Sequence, residues 1–217
     1  MKKSFILIFM FMSIIYSATK EDFNKEYQEW KDWVDNSKMV TPNFKSPKLK
    51  KIINLGVQVL PYIFDEIQKG TDIYSKYILE AVPYISRKQF EIEKWEGKFG
   101  LDFKAKELYL HWWKEGRKET PSIFNKYCTD YEAAIKDKRE EDSKELLMRI
   151  KRLGIDVLPY MIEKLKNENE YLVPVFIELT TVKDSDKNLK ETATKEECLK
   201  WWEENKENWL LPPVESK

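Results

Sequence analysis

The chain has 217 residues, enough for one domain with a hydrophobic core or for two small units that share one. Its 38 basic and 38 acidic residues cancel and are interspersed, which gives no clustered basic face of the kind that nucleic-acid binding needs. Only six glycines are present, fewer than sheets and barrels use in their turns, so the composition favours an all-α protein that does not bind nucleic acid.

The first 18 residues have the organisation of a secretory signal peptide. Two lysines follow the initial methionine, and residues 4–19 carry no charge. This uncharged run is shorter than the roughly 20 residues that a membrane-spanning helix needs. We therefore expect residues 1–18 to be removed and the protein to be exported, to the periplasm or outside the cell, with no membrane span remaining. A retained N-terminal anchor is the competing interpretation.

Residues 19–47 are predicted to form an N-terminal amphipathic helix and a loop. Four aromatic residues recur at helical spacing within residues 20–36: Phe23, Tyr27, Trp30 and Trp33. Pro42 and Pro47 interrupt the stretch that follows. We expect the helix to cover one end of the fold.

Two stretches 98 residues apart are nearly the same: NLGVQVLPYIFDEIQKG at residues 54–70 and RLGIDVLPYMIEKLKNE at residues 152–168. A second block recurs after 89 residues, with KELYLHWWKEGRK at residues 106–118 and KEECLKWWEENKE at residues 195–207. Two matching blocks in the same order predict an internal duplication. A helical hairpin cannot bury its apolar face alone, so we expect each copy to cover the other.

Each copy is predicted to consist of short helices joined by tight turns. Gly56 and Gly154 stop one helix, as an αL cap requires, and Pro61 and Pro159 fall in the first turn of the next. Asp156 is placed to cap that turn. Apolar residues then follow at i, i+3, i+4 and i+7: Leu60, Ile63, Phe64 and Ile67 in the first copy, and Leu158, Met161, Ile162 and Leu165 in the second.

Further helices are predicted at residues 73–85 and 171–181, followed in each copy by a helix with tandem tryptophans. Thr194 and Glu197 form a capping box at the start of the second of these Trp helices. Residues 130–146 are predicted to open a long helix that leads into the second copy.

The pattern Leu-Gly-x-x-Val-Leu-Pro-Tyr, present at both positions, resembles the HEAT repeat: a helix, a glycine-containing turn and a second helix with an early proline. The tandem-Trp segments look like a feature of exported bacterial HEAT-like proteins. The resemblance implies a short α-solenoid of helical hairpins in two duplicated modules, residues 48–127 and 128–217. It also implies a protein–protein interaction scaffold, and the family pattern carries no catalytic residues.

The tryptophans are the candidate contact residues. Two neighbours on a helix cannot face the same direction, so one tryptophan of each pair should enter the core and the other lie at its margin. The functional interpretation makes four residues partner contacts: Trp95, Trp113, Trp202 and Trp209. In the simpler interpretation, both rings of each pair fill gaps between short helices.

The sequence shows no nucleophile elbow, phosphate loop or dinucleotide fingerprint. The single histidine, His111, is expected on an exposed helical face. Cys128 and Cys198 are either one disulfide of an exported protein or two unpaired, buried thiols. A zinc site is not expected from one histidine and two separated cysteines, and DSDKN at residues 184–188 matches only the start of a calcium loop.

We therefore expect no catalytic residues, cofactor or metal, and a non-enzymatic scaffold that binds an unknown protein partner. The alternative function is binding or cleavage of a cell-envelope glycan, through exposed tryptophans and a pair of carboxylates.

Overall fold

A computed structural model describes residues 18–37, 46–70, 72–90, 103–167, 169–182, 185 and 188–214. The regular elements in these ranges are α-helices and short 3₁₀ turns, and the same ranges contain no strand, which confirms the all-α class. Residues 1–17 of the predicted signal peptide lie outside this part of the chain, as does Trp95. In the described ranges, no helix is both long enough and apolar enough to cross a membrane.

The helices of the first half are α1 (Lys20–Asn36), α2 (Pro47–Asn54), α3 (Leu60–Lys69), α4 (Ile73–Ile78), α5 (Ala81–Ser86) and α6 (Phe103–Lys114). Those of the second half are α7 (Thr120–Lys136), α8 (Glu140–Arg152), α9 (Leu158–Lys166), α10 (Val173–Thr180) and α11 (Lys195–Asn205). Buried apolar side chains from both halves form one continuous cluster, so the described helices share a single core.

Helix α1 has the bounds and the amphipathic character that the sequence predicts. Thr19 and Asp22 form a capping box at its start, in which each side chain accepts a hydrogen bond from the other residue's backbone N–H. Its buried face packs against α2. On that face the Phe23 ring contacts the Tyr62 ring and the Trp30 ring contacts the Tyr74 ring, which extends the aromatic packing of α1 to α3 and α4.

The two matching stretches adopt the same order of elements. Helix α2 leads through the 3₁₀ turn Val57–Val59 into α3, and α8 leads through the turn Gly154–Val157 into α9. Gly56 and Gly154 both have positive φ, 77° and 79°. The predicted αL cap is wrong in one respect, because Gly56 has ψ −161°, a region that is open essentially to glycine alone.

The predicted apolar stripes are buried in both stretches. The predicted helix at residues 73–85 is instead two helices, since the ring of Pro83 conflicts with the carbonyl four residues earlier and α4 ends just before that point. In the second stretch Pro174 likewise excludes an α-helix over the residues just before it. A 3₁₀ turn, Glu170–Leu172, takes that place and precedes α10.

The predicted module boundary between residues 127 and 128 falls within helix α7. This helix is continuous from Thr120 to Lys136, because Phe124, Cys128 and Ala134 keep one buried stripe across the expected boundary. The chain turns after it, at Lys138 with φ 57°, and α8 then packs back along α7. The single long helix predicted from residue 130 onward is therefore a helical hairpin.

The two halves meet backbone to backbone at the end of α5. A side-chain carbon at Gly154 would lie 2.6 Å from the Lys88 nitrogen and 2.9 Å from the Lys88 Cα atom, and it would also overlap the Ser86 carbonyl oxygen. The Gln89 N–H donates to the Arg152 carbonyl oxygen at 2.9 Å. We call this contact between residues 86–89 and 152–154 the seam.

A matched pair of substitutions tests the seam. Gly56→Ala should cost about 1–3 kcal/mol of the free energy of unfolding, because alanine is strained at this backbone conformation. A carbon added at Gly56 meets no atom within 4 Å, whereas one at Gly154 meets backbone. Gly154→Ala should therefore cost about 1–3 kcal/mol more than Gly56→Ala. Urea denaturation of both variants measures the difference, and equal losses would contradict close packing at the seam.

Candidate binding cleft

A cleft of about 280 Å³ lies where the 3₁₀ turn Gly116–Lys118, the turn Gly154–Val157 and the C-terminal residues meet. Arg117 and Asp156 form its polar side, and Tyr160, Trp209 and Leu210 contribute apolar and aromatic surface. We call it the C-terminal cleft. It combines an aromatic rim with a few polar groups, as small binding sites commonly do.

The polar side of the cleft is a buried ion pair. The Arg117 Nε atom lies 3.4 Å from the Asp156 Oδ1 atom, and their side chains are only 6% and 11% exposed. The Thr120 hydroxyl donates to the Asp156 Oδ2 atom at 2.6 Å. A second Arg117 nitrogen donates to the Pro212 carbonyl oxygen, and the guanidinium lies 4.7 Å from the centre of the Trp113 ring. Arg117 thus joins α6, the turn Gly154–Val157 and the C-terminal residues.

Burial controls the ionisation of this cluster. It raises the pKa of Asp156, although the Thr120 hydroxyl, Arg117 and Lys88 all favour the ionised carboxylate. Burial also lowers the pKa values of Arg117 and of Lys88, which Asp156 partly offsets in each case. One carboxylate and two cations therefore share a poorly solvated site in which each charge stabilises its opposite.

This arrangement suits binding better than catalysis of glycan cleavage. Asp156 already accepts hydrogen bonds from Thr120 and Arg117, so its oxygens are committed to internal donors. Among the residues that line the cleft in the described part of the chain, Asp156 is the only carboxylate. The pair of carboxylates that glycoside hydrolysis uses is thus not assembled at this cleft.

The tandem tryptophans divide as expected between core and margin, but not in the same order in both pairs. Trp112 and Trp202 are 3% and 4% exposed, while Trp113 and Trp201 are partly exposed. The prediction that Trp202 is the outer residue of its pair is wrong, because Trp202 is the buried one; the rings of both Trp201 and Trp202 pack against Phe176 of α10. Its neighbour Trp201 lies at the margin instead.

Two of the four predicted contact residues lie at the cleft. Trp209 lines it directly, and its ring centre is 5.9 Å from that of Trp201. Trp113 supports the cleft by packing against Arg117: its ring stacks on Phe64 at 4.5 Å and on the Arg117 guanidinium. Trp113 thus contacts Arg117, and Arg117 and Trp209 line the same cleft; the sequence reasoning did not single out Arg117.

Arg117, Thr120 and Tyr160 are the residues of this site that the sequence reasoning missed. One signal was present: the second copy has Asp156 where the first has Gln58. We assigned Asp156 a helix-capping role, but no side chain caps α9. Asp156 instead accepts from Arg117 and Thr120, which precede it by more than 30 residues.

Cys128 and Cys198 are both free and buried, so the disulfide alternative is not formed in this structure. Cys128 lies on α7 beside Tyr171, and Cys198 lies on α11. Burial raises the pKa of both thiols, that of Cys198 to about 11. His111 is exposed on α6, as predicted.

No group of three or more histidine, cysteine or acidic side chains is placed to hold a metal ion within the described ranges. Of the partial calcium-loop match, Asp184 and Asp186 lie outside the described residues. Asn188 is described, and its side-chain amide exchanges two hydrogen bonds with the backbone of Val182, at 2.8 and 2.6 Å. Its oxygen is thereby used to close the loop.

A second, larger groove of about 690 Å³ follows the seam between residues 87–89 and α10. Two of its charged side chains have partners within the protein: Lys151 contacts Glu178, and Arg87 donates to the Thr181 carbonyl oxygen at 3.0 Å. No aromatic side chain lines it in the described part of the chain. The C-terminal cleft is therefore the better candidate, despite its smaller volume.

Compared with protein-family models, with curated proteins and with solved structures, the chain gave no match in any of the three searches.

The buried ion pair yields a stability prediction. Arg117→Met should lower the free energy of unfolding by about 3–5 kcal/mol, because Asp156 would remain buried without its main partner. The double variant R117M/D156N should be more stable than R117M, since the stranded carboxylate is gone. Chemical denaturation at pH 7 measures both variants, and a double variant less stable than R117M would contradict the pairing.

The same variants predict a pH dependence. The pKa of Asp156 is raised above its ordinary value of 3.8, so the folded state holds this proton more tightly than the unfolded state. Its contribution to stability is then largest below pH 3.8 and falls as pH rises through the folded pKa. Loss of Arg117 raises that pKa further, so the stability gap between R117M and wild type should narrow from pH 7 to pH 4. If the difference in unfolding free energy between R117M and wild type were the same at pH 7 and pH 4, Arg117 would not control the ionisation of Asp156.

Thiol titration tests the cysteine assignment. The native protein should react with no equivalents of Ellman's reagent, since both thiols are buried with raised pKa values. After unfolding without reductant it should react with two, the number of cysteines in the chain. Zero equivalents after unfolding would show that the disulfide forms.

Proposed function

We propose that this protein is an exported, non-enzymatic scaffold of HEAT-like helical repeats that binds a protein partner. In this proposal two duplicated modules stack as a short α-solenoid, and the C-terminal cleft contacts the partner. The matching order of helix, glycine turn and proline-initiated helix in the two stretches supports the repeat assignment. The hydrophobic N-terminal residues 1–18 support export.

The composition of the cleft is the observation that carries the binding proposal. Tyr160 and Leu210 are 38% and 36% exposed, so both large apolar side chains are open to solvent. They line the same cleft as Trp209 and Arg117, and the charge of Arg117 is already balanced by Asp156. Protein interfaces favour this combination of aromatic anchors and arginine with few unpaired charges.

Glycan binding is the alternative that the aromatic residues also favour. Tyr160 and Trp209 offer ring faces on which a sugar can stack, and Trp209 is one of the predicted contact residues. The single carboxylate of the cleft supports binding without cleavage. The two functions therefore compete for the same surface, and one experiment can compare them.

Tyr160→Ala and Tyr84→Ala are a matched pair for this comparison. Both tyrosines are exposed to a similar extent, 38% and 40%, but only Tyr160 lines the cleft. Immobilised wild type and Y84A should retain the same protein from an envelope extract of the source cells. Y160A should lose at least about 2 kcal/mol of binding, roughly thirtyfold in affinity, as a central aromatic anchor does.

Equal retention by Y160A and Y84A would contradict a contact role for the cleft. Retention of wild type on a glycan array, lost in Y160A and without a protein partner, would favour the glycan alternative.

A further inference from the structure

The C-terminal residues cross the cleft as an extended segment. After the 3₁₀ turn Lys206–Asn208, residues 210–214 have no regular secondary structure. Their sequence is Leu-Leu-Pro-Pro-Val, in which each residue before a proline is restricted to extended or polyproline II backbone. We call residues 209–214 the strap.

Side chains of the body hold this region through backbone carbonyls. The Gln58 amide donates to the Glu207 carbonyl oxygen at 2.9 Å, and the Arg117 guanidinium donates to the Pro212 carbonyl oxygen. A carbonyl is present in every residue, so neither hydrogen bond selects the side chain of its partner. Selectivity must come from the apolar surface beside them.

That surface fits prolines and apolar side chains. Pro121, Pro159 and Tyr160 line the cleft on the body side, and Leu211 packs against the core. Arg117 is fixed before anything binds, because Asp156 pairs with it and Trp113 lies against its guanidinium. An aromatic-lined groove with a fixed donor for a proline carbonyl is the arrangement by which proteins recognise polyproline II segments.

The strap is also weakly attached. None of residues 209–214 is buried, and Leu210 is 36% exposed. Segments with little buried apolar area and few hydrogen bonds open at a small fraction of the global free energy of unfolding. A segment of the same chemistry can therefore compete for the surface that the strap covers.

We propose that the C-terminal cleft recognises an extended, proline-containing peptide segment of a partner protein, with apolar residues before the prolines. The strap occupies this surface in cis and is displaced when the partner binds. The inference rests on the proposed function, because it specifies the class of ligand for the same cleft. The partner contacts the body side of the cleft, with Arg117 and Tyr160, while Trp209 and Leu210 move away with the strap. It adds that the free protein is partly self-blocked.

The test uses two full-length variants, in each of which one apolar side chain becomes an aspartate. Leu211→Asp removes a side chain that packs against the core and should release the strap, whereas Ile73→Asp changes an exposed side chain of α4 that does not line the cleft and should not. Hydrogen exchange at the Trp209 and Leu210 amides, which both donate to the Lys206 carbonyl oxygen, reports the release, and circular dichroism reports the fold. The probe is a labelled synthetic peptide with the sequence NWLLPPV, residues 208–214, and fluorescence anisotropy measures its binding.

The peptide should bind L211D at least about tenfold more tightly than I73D or wild type. The strap occupies most copies of the surface in the latter two proteins, and the apparent affinity falls in proportion to the fraction of the surface that is free. A peptide with both prolines replaced by alanine should bind L211D at least about tenfold more weakly, since it loses the preformed extended backbone. Failure of NWLLPPV to bind L211D with a released strap, or equal binding of the two peptides, would overturn the inference.

A second measurement does not depend on any substitution. Excess NWLLPPV added to wild type should speed hydrogen exchange of the strap amides, while the alanine peptide should not. Unchanged exchange at a peptide concentration that saturates L211D would also overturn the inference. If these tests fail while Tyr160→Ala still abolishes partner retention, the cleft binds its partner in another way and the proposed function stands.

Discussion

The close approach of two backbone segments at the seam determines where everything else in this molecule lies. Gly154 can sit against residues 86–88 only because it has no side chain, and its φ of 79° turns the chain from α8 toward α9 at that point. The Lys88 carbonyl oxygen accepts a hydrogen bond from the Tyr109 hydroxyl at 3.0 Å. The seam therefore positions α6 as well as α9, and with α6 the tandem tryptophans.

The seam also explains why charged groups are buried next to it. Residue 88 is a lysine whose ammonium group loses solvent when the halves meet, and Asp156 follows Gly154 by two residues. Asp156 partly compensates both Lys88 and Arg117, so these charges are stable only when both halves are in place. Breaking a buried network of this kind is costly, which favours one arrangement of the halves over sliding alternatives. The cleft and the strap are built on that arrangement.

Local features of the fold followed from the sequence, because they depend on residues near one another in the chain. The bounds of α1, the capping box of Thr194 and Glu197, and the buried stripes of α3 and α9 were predicted correctly. The break before Pro83 was missed although its cause is equally local: a proline forbids the helix that the apolar spacing suggested.

The errors that could not have been avoided concern tertiary neighbours. Trp113 and Trp202 occupy matching positions of the two Trp blocks, but α6 packs against α3 whereas α11 packs against both α9 and α10. The neighbouring helix decides which tryptophan is buried, and periodicity does not specify that helix. Of the candidate site, Trp209 and Trp113 were predicted, but Arg117 was not. Its role depends on Asp156 and Pro212, 39 and 95 residues away along the chain.

The most direct measurement of the central claim is native-state hydrogen exchange at the amide of Gln89, which donates to Arg152 across the seam. If the halves share one core, this amide should exchange with an opening free energy close to that of the buried amides of α3 and α9, in one cooperative unit. Exchange of Gln89 as fast as an exposed loop, or separate unfolding of α3 and α9 at different free energies, would contradict the account.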